Sequence, residues 1–256
     1  MARGNRRWGR ILLILGLVVI VLLIAADRIG VVVAENTVAK QARTQLASEN
    51  ITTSADPDVT ISGFPFLTQV AAGHYGKINI VVPNPTSKGI RLDSLNVTAT
   101  DVTAPTSSVI SGNGQIEAGK VVGTAQINWA SFEEMVDLSG LSQYGIDASS
   151  LHISSSGSGA VTVSAPVKIA GQSFTAVATG TVSVVNDLLH IKITKITADD
   201  STLPSLVAAE LQSLKSELNF DARIPALPYH LVVDAVNTNA TGVAIQASAT
   251  NVILGS

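Results

Sequence analysis

The chain's apolar pattern changes twice within its first 48 residues. Arg3, Arg6, Arg7 and Arg10 surround Trp8, and Ile11 to Ala26 is then an unbroken run of 16 residues that are apolar or glycine. From Asp27 to Ser48 the apolar residues thin to Ile29, Val32, Val33, Ala39, Ala42 and Leu46, with Lys40, Arg43 and Gln45 elsewhere on the wheel. Intervals near three and four predict an amphipathic helix that can run straight out of the apolar segment.

Beyond Ser48 the period falls to two. Val59-Thr60-Ile61 leads into Gly63-Phe64-Pro65-Phe66-Leu67, read as strand with a kinking proline and both phenylalanines on one face. Lys77 to Val82 is a further strand. Pro83-Asn84-Pro85 ends it, because proline removes a ladder donor and restricts the residue before it. Leu95, Val97 and Ala99 alternate with polar residues, and Val121 to Trp129 is again extended. Ser131-Phe132-Glu133-Glu134 has the form of a capping box and predicts a short helix stopping at Gly140.

The densest β pattern lies between Leu151 and Thr197. Val161, Val163, Val167 and Ile169 precede a Gly171-Gln172 turn; Phe174, Val177, Val182 and Val184 follow; an Asn186-Asp187 turn leads to Leu189, Ile191, Ile193 and Ile196. Turns at that spacing predict an antiparallel meander. Ser201-Thr202-Leu203-Pro204 opens a second amphipathic helix with its apolar stripe at Leu203, Leu206, Val207, Leu211, Leu214 and Leu218. Tyr229 to Val236 and Val243 to Leu254 are closing strands. The expected fold is α+β, with long amphipathic helices wrapped by a curved, mostly antiparallel sheet of about ten strands.

The leader fixes the compartment. A helix over Ile11 to Ala26 spans roughly 24 Å at about 1.5 Å per residue, against a hydrocarbon core roughly 30 Å thick. Trp8 and a snorkelling Arg10 can extend it inward, and the apolar stretch Ile29 to Ala34 outward. A cleaved signal peptide is the competing reading, although Ile24-Ala25-Ala26 is a mediocre cleavage site. Residues 1–26 are thus a membrane anchor or a signal peptide. The arginines keep the N-terminus in the cytoplasm, so residues 27–256 form an extracytoplasmic domain, anchored to the membrane or released to the envelope.

Composition removes several function classes. There is no cysteine, hence no disulfide, thiolate metal site, cysteine nucleophile or lipid-modified cysteine anchor. The chain carries 16 basic and 19 acidic residues, but four of the basic ones precede Asp27, leaving 12 against 19, a balance of −7, for the exported part. Such a domain has no electrostatic footprint for nucleic acid. His74, His152, His190 and His230 are scattered without metal-ligand spacing. Gly157-Ser158-Gly159 is a loop rather than a nucleophile elbow, and Gly112-Asn113-Gly114 reads as a hairpin turn. The acid pairs Asp56/Asp58, Glu133/Glu134 and Asp199/Asp200 sit at turns and helix starts, where negative charge is favoured anyway. No catalytic residue, metal ligand or cofactor site is expected.

The apolar surface points elsewhere. Long strands of small and medium aliphatics, with only 4% aromatic residues in the chain, can be plain core, or can leave an elongated groove for acyl chains. The lining would then come from Val182, Val184, Ile191 and Ile193 of the meander and from Val32, Leu206 and Leu214 of the helices.

One string is specific. Gly63-Phe64-Pro65-Phe66-Leu67-Thr68-Gln69, followed by Gly73-His74-Tyr75 and preceded by Asp27-Arg28 and Ala34-Glu35-Asn36-Thr37-Val38-Ala39, resembles the actinobacterial LmeA-like phospholipid-binding proteins. The resemblance implies an envelope protein that binds phospholipid, including phosphatidylinositol species, and supports assembly of cell-envelope glycolipids. It also implies a fold similar to the tubular lipid-binding modules of the bactericidal/permeability-increasing type. Phe64, Pro65, Phe66 and Leu67 are then candidates either for a groove mouth or for a plug at the end of the core. Tyr75, Lys77 and Arg91 are candidates for headgroup contacts. The rival reading is a membrane-anchored extracytoplasmic β-sandwich with a structural or protein-interaction role; an enzyme stands third.

Overall fold

The computed structural model describes residues 5–87, 89–105, 115–136, 150–157, 159–169, 172–185, 188–198, 219–223 and 231–254. The leader and the amphipathic segment form one unbroken helix, α1 (Asn5–Ser48), of 44 residues, which is about 66 Å long. Its stretch from Leu13 to Ser48 is, among the described residues, the one helix long and apolar enough to cross a membrane.

After α1 come β1 (Asp58–Ser62), α2 (Phe66–Ala72), β2 (His74–Pro83), the short β3 (Thr86–Ser87) and β4 (Ile90–Arg91), β5 (Ser94–Thr103), β6 (Ile116–Asn128) and α3 (Trp129–Met135). The second half holds β7 (His152–Gly157), β8 (Ala160–Ile169), β9 (Gln172–Val185), β10 (Leu188–Ala198), β11 (Asn219–Arg223), β12 (Val232–Asn239) and β13 (Gly242–Leu254). One sheet has six strands in the order β1-β2-β5-β6-β13-β12, and a second has five in the order β11-β10-β9-β8-β7. The ladders are antiparallel, and the second sheet is the expected meander.

Two cores share the six-stranded sheet. At one end Val31 of α1 packs with Val59, Ile61, Phe66, Tyr75, Val102, Ala118 and Val252. At the other end Ile127, Val243 and Ile245 meet the second sheet through Val161, Val163, Leu189, Ile191 and Ile193, closed by Phe132 of α3. The long strands β6 and β13 run through both.

Between the cores the sheet carries a crease. Tyr75, Val102, Ala118 and Val252 form one cross-strand row, and Ile78, Ala99, Val121 and Ala249 form the next inward-facing row. Strict alternation separates inward residues by two positions. Here all four strands step by three, with Gly76-Lys77, Thr100-Asp101, Gly119-Lys120 and Thr250-Asn251 between the rows. Asp101 and Asn251 adopt left-handed backbone, each with φ of 53°. Gly119 answers Asp101, whose Cβ would lie 3.0 Å from any Cβ placed there.

Three local expectations change. Phe66 and Leu67 are not strand but the first turn of α2, which Gly73 closes in left-handed conformation with its N–H on the carbonyls of Gln69 and Val70. Phe64 and Phe66 therefore do not share a face: Phe64 is 64% exposed and Phe66 4%. Helix α3 starts at Trp129, because Asn128 rather than Ser131 caps it and accepts from the Ser131 N–H at 2.9 Å. Glu133 reaches instead to the Ile153 N–H on β7, at 2.5 Å. The expected helix from Leu203 to Leu218, including Leu206 and Leu214, lies outside the described residues, as do Gly112-Asn113-Gly114, Gly140, Gly171, Asn186-Asp187 and Asp199/Asp200.

Candidate functional site

Helix α1 and the segment from 56 to 67 run antiparallel and are clipped at three places. The Asp27 carboxylate accepts the Leu67 N–H at 2.8 Å, and that of Glu35 accepts the Ile61 N–H at 2.8 Å. Arg43 pairs with Asp56 at 2.6 Å across an exposed surface, a contact worth less than about 1 kcal/mol. The Glu35 bond has a clear cause. β1 is the edge of its sheet, and an edge strand's outward N–H groups need a partner or a cover.

Asp27 is 3% exposed. The Leu67 N–H and the Arg28 guanidinium both meet its carboxylate. Because Pro65 offers no side-chain cap, this carboxylate from α1 serves the N-terminus of α2. Arg28, held by Asp27 at 2.5 Å, lies over the Phe64 ring at 5.1 Å from its centroid. Phe66 and Leu67 lie against Gly30, near enough that a methyl there would touch both at 3.6 Å. Gly63, at φ 112°, leaves room for Gln69, whose carboxamide oxygen accepts the Gly76 N–H at 3.2 Å.

The candidate mouth residues thus separate. Phe64, Pro65 and Leu67 are exposed, whereas Phe66 and Tyr75 are buried with ring centroids 6.3 Å apart. The Tyr75 hydroxyl has no partner among the described residues, and burial pushes its ionisation above the ordinary value. Lys77 is exposed on the outer side of the crease. Arg91 is not near Phe64: its β3–β4 ribbon bridges to Thr52 just past the far end of α1, about 30 Å along the helix from Arg28.

The candidate lining residues also divide. Val182, Val184, Ile191 and Ile193 do share one face, with Val182 opposite Ile191, and all four belong to the core between the sheets. Val32 is 54% exposed on the outer side of α1. A different apolar surface lies between the two cores. Ile78, Ile80, Val97, Ala99 and Ala249 are half-buried along the margin of the first core, with Ala125 half-buried beyond them, and a Cβ added at Gly123 meets no described atom within 4 Å. This strip from Val121 to Ile127 is about 20 Å long. Its sequence signal is the run of small residues Gly123 and Ala125, on the same face as Ala99 and Ala249.

A depression of 760 Å³ lies on the opposite face of the same sheet, lined by Val232, Asp234, Ser248, Thr250, Asn251 and Ile253 among others. With Asp234 in its wall and exposed valine and isoleucine at its rim, it suits neither an anion nor a shielded chain. Among the described residues no three His, Asp or Glu side chains come together as metal ligands would.

A family model described as LmeA-like phospholipid-binding matches residues 25–248 of the chain. No curated protein matches it.

Proposed function

The chain belongs to the LmeA-like phospholipid-binding family, and we propose on that basis that it holds a phospholipid, with phosphatidylinositol species as the headgroup class, without covalent chemistry. The observation that carries the reading is the half-buried aliphatic strip between the cores, from Val121 toward Ile127. At about 20 Å it accommodates the roughly 15 Å reach of an acyl chain, half the thickness of a bilayer core. Each methylene buried there contributes about 0.8 kcal/mol.

In this reading the six-stranded sheet and α1 act as a tubular lipid-binding module. Ile78, Ile80, Val97, Ala99 and Ala125 contact acyl chains, and Val182, Val184, Ile191 and Ile193 back the far end of the channel. Phe64, Pro65 and Leu67 stand at the mouth, and Lys77 is the basic group on the polar rim. Residues 11–26 anchor the chain, residues 27–256 work outside the cytoplasm, and the lipid is delivered or retained for envelope glycolipid assembly.

The test is native mass spectrometry with lipid extraction on the full chain, purified in detergent from membrane-containing cells. Near-stoichiometric phospholipid is expected. A lipid-free mass that persists after incubation with phosphatidylinositol and phosphatidylglycerol vesicles would overturn the proposal.

A further inference from the structure

The apolar residues left uncovered near Asp27 gather at one level. Ile29, Val32 and Val33 are exposed on the outer side of α1, at 66%, 54% and 60%. Phe64 lies beside Arg28, and Leu67 beside Asp27 and Gly30. Together they make a collar around α1 over residues 28 to 33, the first turns after the apolar run. Isolated exposed apolar residues need no explanation, but a collar of five on one short length of helix does.

The occupant follows from length. The run Ile11 to Ala26 covers roughly 24 Å as a helix, and the bilayer's hydrocarbon needs roughly 30 Å, or about four more residues. On the inner side Trp8 and a snorkelling Arg10 stand between the run and Arg7 and Arg6, whereas on the outer side Ile29-Gly30-Val31-Val32-Val33-Ala34 continues it for six residues. The only charges before Glu35 on that side are Asp27 and Arg28. Asp27 is enclosed by two backbone N–H groups and Arg28, so it meets no hydrocarbon as a free charge. Four residues past Ala26 is Gly30, the level at which Phe66 and Leu67 lie against the helix. There is also no linker: α1 continues unbroken to Ser48, and three clips tie its outer half to the domain.

We infer that the domain is seated in the outer leaflet of its own anchoring membrane, with Phe64, Leu67, Ile29, Val32 and Val33 embedded at the hydrocarbon edge and the Arg28 charge neutralised there by Asp27. The inference rests on the anchor reading of residues 11–26 and deepens the proposed function. A domain so placed exchanges lipid with that leaflet directly rather than through water.

Because the chain has no cysteine, single labels are clean. Phe64→Cys, Leu67→Cys, Val33→Cys and, as the distant reference, Glu49→Cys are each labelled with an environment-sensitive fluorophore. The full chain is then placed in nanodiscs of phosphatidylglycerol and phosphatidylcholine containing lipid spin-labelled near the headgroup. At least two-fold quenching is expected at 64, 67 and 33, with none at 49. Bound phospholipid is assayed separately, by native mass spectrometry on the unlabelled parent chain in detergent. Quenching at 64 and 67 without bound lipid supports the seating while removing the proposed function. Bound lipid with 64 and 67 quenched no more than 49 overturns the seating alone. A chain the disc does not retain overturns the anchor reading and the seating with it.

Discussion

The backbone N–H of Leu67 donates to the carboxylate of Asp27 at 2.8 Å, joining residues 40 apart in sequence. The bond caps α2 from outside its own segment. It also ties the two most recognisable parts of the chain, Asp27-Arg28 and Gly63-Phe64-Pro65-Phe66-Leu67, into a single joint between α1 and the sheet.

That joint supports the fold. The Asp27 carboxylate is buried and accepts the Leu67 N–H while pairing with Arg28, so a neutral side chain there leaves both with a weaker partner. Thermal melts of the full chain in detergent at pH 7, followed by circular dichroism, should show Asp27→Asn melting below the parent by the equivalent of about 1–3 kcal/mol. An unchanged midpoint in the variant would dissociate the joint from Asp27.

Tyr75 gives an alkaline limb. Burial raises its ionisation above 10.0 in the fold, so its contribution is intact below the unfolded value and is lost as pH rises through the folded one. Alkaline denaturation should begin above about pH 10. Tyr75→Phe should weaken that transition and, by removing a buried hydroxyl with no described partner, leave neutral-pH stability unchanged or raise it by about 1 kcal/mol.

At the crease, Asn251 sits at φ 53°. A β-branched side chain there costs about 1–2 kcal/mol, whereas glycine adopts the conformation freely. Urea titration should find Asn251→Val destabilised by about that amount and Asn251→Gly close to the parent.

Filling the strip separates lining from core. Gly123→Leu points into space open among the described residues, so the melting midpoint should hold while co-purifying lipid falls at least several-fold. Ile193, 2% exposed in the packed core, should behave differently. Ile193→Trp overpacks and should cost about 1–3 kcal/mol. Unchanged lipid content in a folded Gly123→Leu protein would remove the strip from the binding surface.

Much of this architecture is legible in the residues, for reasons that differ by element. The run from Ile11 and the spacing from Ile29 to Leu46 give α1, because a helix that is apolar all round and then packs one face on a sheet must display those two patterns in turn. The meander from β7 to β10 is legible because each strand buries one face and its turns interrupt the alternation. Helix α2 is not: Phe66-Leu67-Thr68-Gln69-Val70 is as apolar as a strand, and its helicity is supported by a carboxylate on a distant helix. The start of α3 shifts because Asn128 and Ser131 are both good caps, and only the sheet decides that Glu133 is needed at Ile153. The separation of Arg91 from Phe64 is likewise a matter of topology. The half-buried strip escapes because Ala99, Gly123 and Ala125 look the same in sequence whether their face is covered or open. The crease, by contrast, has a signal: the three-residue steps from Tyr75 to Ile78 and from Ala118 to Val121 break the alternation.

That crease also constrains descent. The step falls in the same row of four neighbouring strands, so losing or gaining one residue in any of them would turn every later side chain of that strand inside out while its neighbours kept their facing. Length changes among relatives should therefore collect in the turns and spare the stretches between the step and the strand ends. Where one of these strands does change length, the other three should have changed with it.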